Sequence, residues 1–355
     1  MNIDTTSPVC LTGSTGYVAG VICKQLLEAG LTVHCPVRDP SNGERLKYLT
    51  DIADATSGSI KFFKADLLDE GSYLESMEGC SIVLHTASPF IMSVPKGKEK
   101  ELLLDPAVKG TQSVLNSAAQ TPSVKRVVLT SSAYAVAVDA QDNHDVEKCD
   151  ESIFQTTASE EYNPYAYSKV LAEKAAWEIA GAEETKYDLV VVNPSWVMGP
   201  GVKAHPSSES FQFIKMVGDG TMKSGAPKFG IWVVDVRDVA MAHFRAAFMP
   251  SAEGRHIISG YNTDMLAMIA PIRAKYPDYP LPKSALPKLL LWLFAPMMGM
   301  QRRMVTRSCN IEAKLDNSKS IDKLNMEYKP LENTMQDMFA QMIGANLIQD
   351  PCKGK

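Results

Sequence analysis

The sequence has no pair of cysteines at Cys-x-x-Cys spacing and no even set from which to build a disulfide framework. Its seven cysteines, Cys10, Cys23, Cys35, Cys80, Cys149, Cys309 and Cys352, are scattered through 355 residues. That distribution argues against a disulfide scaffold and a structural zinc site, and suits a reducing, cytoplasmic setting. Positive charge is not in excess either. Lys and Arg number 36 against 41 Asp and Glu, a formal net charge of −5. Such a chain lacks the basic field that grips a phosphate backbone, so no nucleic-acid partner is expected. The six histidines, His34, His85, His144, His205, His243 and His256, form no His-x-x-x-His pattern, so no metal is expected. No apolar run approaches the roughly 20 residues of a membrane-spanning helix. The longest, residues 289–300, has 12 residues, contains Pro296, and is flanked by Lys288, Arg302 and Arg303. It reads as a buried helix or a pocket wall, with a membrane-surface contact as the alternative. Residues 1–8 are short and polar, without the pattern of a secretory signal. Glycine (22) and proline (21) are not enriched, which excludes collagen-like and low-complexity chains.

What is present is the alternation of short apolar runs with helical periodicity. Strands are predicted at residues 9–12, 31–37, 60–64, 81–85, 124–130 and 189–193. Helices are predicted between them at 18–29, 44–53, 72–77, 99–120 and 165–181. Near-continuous apolar strands mean a parallel sheet covered on both faces. Right-handed crossovers then give an α/β fold, a Rossmann-type doubly wound parallel sheet. After Pro194 the pattern loosens, which suits a smaller, mostly C-terminal substrate-binding lobe. Residues 230–247 read as a strand and helix returning to the sheet domain. The expected division is therefore 1–193 with 230–247 for the nucleotide-binding domain, and 194–229 with 248–355 for the lobe.

Thr12-Gly13-Ser14-Thr15-Gly16-Tyr17-Val18-Ala19 lies between the first strand and the first helix. Gly13 permits the tight turn, and Gly16 lets the backbone approach a pyrophosphate. Ala19 keeps the helix close to the sheet. The phosphates then meet free N–H groups at the positive end of the helix dipole. The second strand ends at Val37-Arg38-Asp39-Pro40, with Arg45 and Lys47 following. An acidic residue there would hold the ribose hydroxyls of NAD, whereas a guanidinium pairs with a 2′-phosphate. Arg38 comes first, which selects NADP(H), although Asp39 could face the ribose. Asp66, at the end of the third strand, is placed to accept from the adenine amino group or to cap the following turn.

Thr130-Ser131-Ser132-Ala133 ends the fifth strand, and Tyr165-Ala166-Tyr167-Ser168-Lys169 opens the next long helix. Residues four apart share a helix face, so Tyr165 and Lys169 point into the same crevice. A Lys ammonium one turn away favours the phenolate and lowers the tyrosine pKa from about 10. A serine hydroxyl from the strand end can donate to a carbonyl oxygen. Ser132 is preferred because it lies further beyond the strand, with Ser131 as its rival.

These motifs, with Ala65-Asp66-Leu67, His85-Thr86-Ala87-Ser88-Pro89, Asn193-Pro194, Asp235 to Ala240 and Asp316-Asn317-Ser318-Lys319, carry a resemblance. Over nearly its whole length the chain resembles the extended short-chain dehydrogenase/reductases. Within them it is similar to the group of dihydroflavonol 4-reductase and the microbial NADPH-dependent aldehyde and ketone reductases. The resemblance implies Ser132, Tyr165 and Lys169 as the catalytic triad, Lys169 also reaching the nicotinamide ribose. It implies Gly13, Ser14, Thr15, Gly16, Tyr17, Val18, Arg38, Arg45, Asp66, Leu67 and Ala87 as NADP-binding residues. Pro194 and Val197 would lie against the nicotinamide, with Ser208 near it. The implied activity is reversible NADPH-dependent reduction of an aldehyde or ketone to an alcohol.

The pattern also departs from its relatives. Flavonoid reductases carry an Asn where Ala137 stands, and cinnamoyl-CoA reductases carry a Trp and a Cys absent from residues 163–169. Lys109 stands where many extended enzymes have an Asn. Phe90, Ile91, Tyr134, Trp196, Met198 and Phe211 are candidates for the wall of a pocket for a small apolar or aromatic carbonyl compound. Met297 to Met304 could add a lid or a packing surface. An NAD-dependent nucleotide-sugar epimerase or dehydratase, or a hydroxysteroid-type dehydrogenase, is the alternative on the same scaffold. Arg38 and the lack of an Arg cluster for a sugar diphosphate argue against it, though Lys203, His205 and Lys215 are present. A non-catalytic NADP-sensing protein is a third reading; such proteins generally lose the Tyr or Lys retained here. The expected assembly is a monomer or homodimer, without a membrane span.

Overall fold

The computed structural model describes residues 6–88, 94–144 and 146–349. Its first half follows the alternation in the sequence: β1 (Val9–Thr12), α1 (Tyr17–Glu28), β2 (Thr32–Val37), α2 (Gly43–Asp54) and β3 (Ser59–Lys64). Then come α3 (Leu74–Met77), β4 (Ile82–His85), α4 (Asp105–Gln120), β5 (Arg126–Thr130), α5 (Pro164–Ala180) and β6 (Asp188–Pro194). After these, β7 (Trp196–Met198), α6 (Glu209–Gly218), β8 (Gly230–Asp235), α7 (Val236–Phe248), β9 (Gly254–Ile258) and β10 (Tyr261–Asp264) complete the strands. Five helices remain: α8 (Met265–Lys275), α9 (Lys288–Phe294), α10 (Arg302–Ser308), α11 (Ser318–Leu324) and α12 (Leu331–Gly344).

Seven parallel strands form the main sheet in the order β3-β2-β1-β4-β5-β6-β9. Alternation along each strand divides its side chains between two cores. Val9, Leu11, Leu84, Val128, Val190 and Val192 face one side, where α1, α2 and α7 pack. Cys10, Val83, Val127, Leu129 and Val191 face the other, against α4 and α5. Both faces are dry, which is why the strands read as unbroken apolar runs. Strand order reverses between β1 and β4, and a ligand crevice opens at the carboxyl ends of the strands there. A second sheet, β10-β8-β7, carries its own core of Met198, Phe211, Ile214, Ile269, Met338 and Phe339.

Three expectations are corrected. The returning segment is divided: α7 packs on α1, but β8 pairs with β7 and β10 in the small sheet. The seventh strand of the main sheet is instead β9, paired with β6. Its sequence, Gly-Arg-His-Ile-Ile, hides it, because Arg255 and His256 interrupt the apolar run although both are buried. The long helix expected from residue 99 begins with a π-helical turn, Lys100–Leu104, and becomes α-helical at Asp105, where Pro106 enters the first turn. The apolar run at 289–300 is not a buried helix. Only Leu291 and Ala295 are buried, against Phe229, Val305 and Cys309.

Candidate active site

The turn from β1 into α1 is shaped by close approach. Gly13 has φ +70°, and a Cβ there would meet the backbone of Ala87 and the Thr86 hydroxyl at 3.0 Å. Only glycine fits that left-handed, crowded position. The ends of β1 and β4 are tied as well. The Thr12 hydroxyl accepts the N–H groups of Thr86 and Ala87, each at 3.1 Å, and lies 2.9 Å from His85 Nδ1. Burial, with the charge of Lys169, lowers the His85 pKa to about 3, so the ring is a neutral strut. Gly16 caps α1 without a side chain, and the first turn holds no acidic residue. The N–H groups of that turn therefore stay available to an anion.

Arg38 and Asp39, at the end of β2, are engaged differently. The Asp39 carboxylate accepts the Ser41 N–H (3.0 Å) and hydroxyl (2.6 Å), so it is spent on its own turn. Those bonds hold its pKa below the usual carboxylate range. Arg38 is exposed and forms no ion pair with any described residue. Arg45 begins α2, its N–H donating to Asn42. Lys203, noted only as a cation of the lobe, reaches over the Tyr48 ring of α2 at 3.8 Å. Its pKa is lowered by burial and by the charge of Arg45. Three cations thus border this end of the crevice. Asp66 accepts the Leu68 N–H at 3.0 Å through one carboxylate oxygen, and Leu67 packs against Gly110 of α4.

At the opposite side, Asn163 in a left-handed conformation accepts the Ala166 N–H, and Pro164 opens α5. This start places Tyr165 in the first turn and Lys169 one turn later. The Lys169 ammonium lies 5.5 Å from the Tyr165 ring centre and donates to the Ser88 hydroxyl at 3.1 Å. Burial lowers the Lys169 pKa to about 8. Burial pushes the Tyr165 phenol upward, with Tyr134 adding to it. The lowering expected from Lys169 is therefore outweighed by loss of water, and the phenol is held protonated. The Tyr134 ring meets the Tyr165 ring edge-on at 6.1 Å, and the Tyr134 N–H donates to Ser132 Oγ at 3.1 Å. Ser131 faces away from this group, donating to Glu173 Oε2 at 2.5 Å.

Glu173 belongs to a buried network that the sequence reading did not single out. Arg255 of β9 donates to Glu173 Oε1 at 2.5 Å. Asn193 of β6 donates to Glu173 Oε2 at 2.8 Å and to the Ser132 carbonyl at 3.2 Å. Arg255 also donates to the carbonyls of Glu151 and Ile153. The carboxylate is fully satisfied, as a buried charge must be. Its spacing was a usable signal, since 165, 169 and 173 lie on one helix face.

Pro194 ends β6, buried, and Val197 lies half-buried in β7, its carbonyl accepting from Ser210 at 2.6 Å. Ser208 caps α6 without a side-chain bond. Tyr17 turns from the cradle toward the lobe, donating to the Gly199 carbonyl at 2.6 Å and meeting Phe211 edge-on. Met198 and Phe211 are core residues, not pocket wall. His205 is buried beside Tyr17 and Phe211. Phe90 and Ile91, with Pro89, lie outside the described residues.

Residues 9–259 match the NAD dependent epimerase/dehydratase family. The chain belongs to that family. Among the extended short-chain dehydrogenase/reductases it is 38% identical over 277 residues to a cinnamoyl-CoA reductase of Medicago truncatula, covering 78% of this chain and 82% of that one. It is 33% identical over 342 residues to tetraketide alpha-pyrone reductase 1 of Arabidopsis thaliana, covering 94% and 95%. The crystal structure of the yeast methylglyoxal/isovaleraldehyde reductase complexed with NADPH superposes with a TM-score of 0.76 at 26% identity, covering 96% of this chain and 99% of that one. The resemblance read from the motifs and the doubly wound sheet both stand.

Proposed function

We propose that the chain is an NADP-dependent oxidoreductase that reduces a small aldehyde or ketone to the alcohol, reversibly. The observation that carries this reading is the stack of Tyr165 and Lys169 beside the glycine cradle, with the Lys169 ammonium bound to Ser88 in the loop that follows β4. The cradle fits a dinucleotide: a Cβ at Gly13 would fill it, and the first turn of α1 has no competing cap. Gly13, Ser14, Thr15, Gly16, Tyr17 and Val18 would hold the pyrophosphate, and Arg38 and Arg45 the 2′-phosphate. Asp66, Leu67 and Ala87 would line the adenosine and ribose side, and Pro194, Val197 and Ser208 the nicotinamide side. Bound NADPH supplies the hydride. The chain supplies the proton and the positioning: Ser132 donates a hydrogen bond to the carbonyl oxygen, and the phenol of Tyr165 gives its proton to that oxygen as charge develops. Lys169 stabilises the phenolate that remains. The lobe built on the small sheet of β7, β8 and β10 would carry an apolar or aryl carbonyl substrate. We place the protein in the cytoplasm, as a monomer or homodimer; the six cysteines among the described residues are all free and buried.

The test is NADPH oxidation, followed by absorbance, over aryl aldehydes, α-keto esters and ketones, repeated with NADH. Consumption with NADPH and far less with NADH is expected. Tyr165→Phe should keep NADPH binding and lose turnover by about 10²–10⁴-fold. Undiminished turnover in that variant would remove Tyr165 from the acid role.

A further inference from the structure

Exposed apolar surface is concentrated in one segment of this molecule. Of the twelve large hydrophobic side chains exposed among the described residues, seven are Leu289, Leu290, Trp292, Leu293, Phe294, Met297 and Met298. Met297 is 83% exposed and Leu289 69%. Helix α9 and the 3₁₀ turn after it, Ala295–Met298, present these side chains outward. The inner face of the same segment, Leu291 and Ala295, is fixed in a small core with Phe229, Val305 and Cys309. The apolar face is thus built on a packed support. A contiguous patch of this kind marks an interaction surface.

Charge in the surrounding sequence is one-sided. Residues 279–311 contain no Asp or Glu, but hold Lys283, Lys288, Arg302, Arg303 and Arg307, in a chain whose net charge is −5. Arg307 is neutralised by Asp139 and Asp142. The other four form no ion pair with any described residue. Lys288 donates to the carbonyls of Thr306 and Cys309. Arg302 stacks on Trp292 at 4.5 Å, and Arg303 on Tyr162 at 4.1 Å. Acidic residues meet the segment at two places: Asp139 and Asp142, which bind Arg307, and Glu161, whose backbone carbonyl accepts from Gln301. A local cationic rim around exposed Leu, Trp, Phe and Met is the composition that suits an anionic lipid surface. Among the described residues no helix is long and apolar enough to cross a membrane.

We propose that α9 and the turn that follows form a docking face for an anionic bilayer, with the apolar side chains entering the headgroup boundary and the four cations meeting lipid phosphates. Trp292 and its stacked Arg302 sit as an interfacial pair, apolar body inward and charge outward. A second copy of the chain is a poorer occupant. A two-fold contact through this face would bring two cationic rims together, with no Asp or Glu in residues 279–311 to offset them. The inference is independent of the catalytic reading, because its readout is binding alone.

The full chain would be floated with vesicles of phosphatidylcholine, with and without phosphatidylserine, at low and high salt. Flotation with the anionic vesicles, weakened by salt, is expected. The triple variant Leu293→Ser, Phe294→Ser, Met297→Ser changes only exposed positions and should bind about tenfold less at the same lipid concentration. Lys283→Glu with Arg302→Glu should lose the preference for anionic vesicles. Circular dichroism checks that both variants remain folded. Absence of flotation with anionic vesicles would overturn the proposal, as would flotation unchanged in the triple variant. A dimer in solution that the triple variant dissociates would assign the face to a second copy instead.

Discussion

Ser131 and Ser132 are neighbours at the end of β5, but their hydroxyls are engaged differently. Ser131 gives its proton to a buried carboxylate, Glu173. Ser132 accepts the Tyr134 N–H and keeps a proton to donate. The two alanine variants should therefore part company. Ser131→Ala leaves Glu173 short of a donor and should lower unfolding free energy by about 1–3 kcal/mol, with kcat changed little. Ser132→Ala should lower kcat by about 10²–10³-fold at nearly unchanged stability. Denaturant melts and turnover measured on both proteins decide the assignment; a reversed pattern would make Ser131 the donor to substrate. Much of the candidate site's geometry could be read from residues alone, because the pairing of Tyr165 with Lys169 and the glycine turn follow from spacing. Arg255 could not. It meets Glu173 from 82 residues away, and only the folded chain brings the two together.

Helix α5 carries Tyr165, Lys169 and Glu173 one turn apart, so it presents a phenol, an ammonium and a carboxylate in sequence along one face. The cation titrates within a useful range. Burial brings the Lys169 pKa to about 8, so its ammonium is present below that pH and is lost above it. In the reductive direction kcat/KM should hold level at acidic to neutral pH and fall as pH rises through about 8, since the lost charge no longer steadies the phenolate. Lys169→Arg retains its charge and should abolish the alkaline fall, whatever it does to the absolute rate. A pH profile of both proteins tests this. The strands show where pattern reading ends. Those flanked by apolar side chains on both faces were legible as runs. β9 was not, since Arg255 serves a buried ion pair and breaks the run. β8 was legible as a strand, but its partners were not, because its apolar pattern suits either sheet.

At the scale of the molecule, the main sheet and the lobe are joined where a cofactor would lie. Tyr17 stands in the first turn of α1, yet its hydroxyl is bound to Gly199 and its ring is packed on Phe211 in the core of the lobe. Gln341 of α12 both accepts from and donates to the backbone of Gly201. One element therefore belongs to two cores. A ligand that binds only the folded state adds about 2.7 kcal/mol at a hundred times its dissociation constant. Calorimetry with NADPH should accordingly move a single transition upward as one peak. Two separable peaks, one of them unmoved, would show that the lobe melts independently. The hydroxyl of Tyr17 also has a kinetic consequence. Tyr17 joins the glycine turn at its backbone to the core of the small sheet at its ring, so a ligand held at that turn should order the lobe for a second one, and steady-state turnover should follow an ordered sequence with the nucleotide leading.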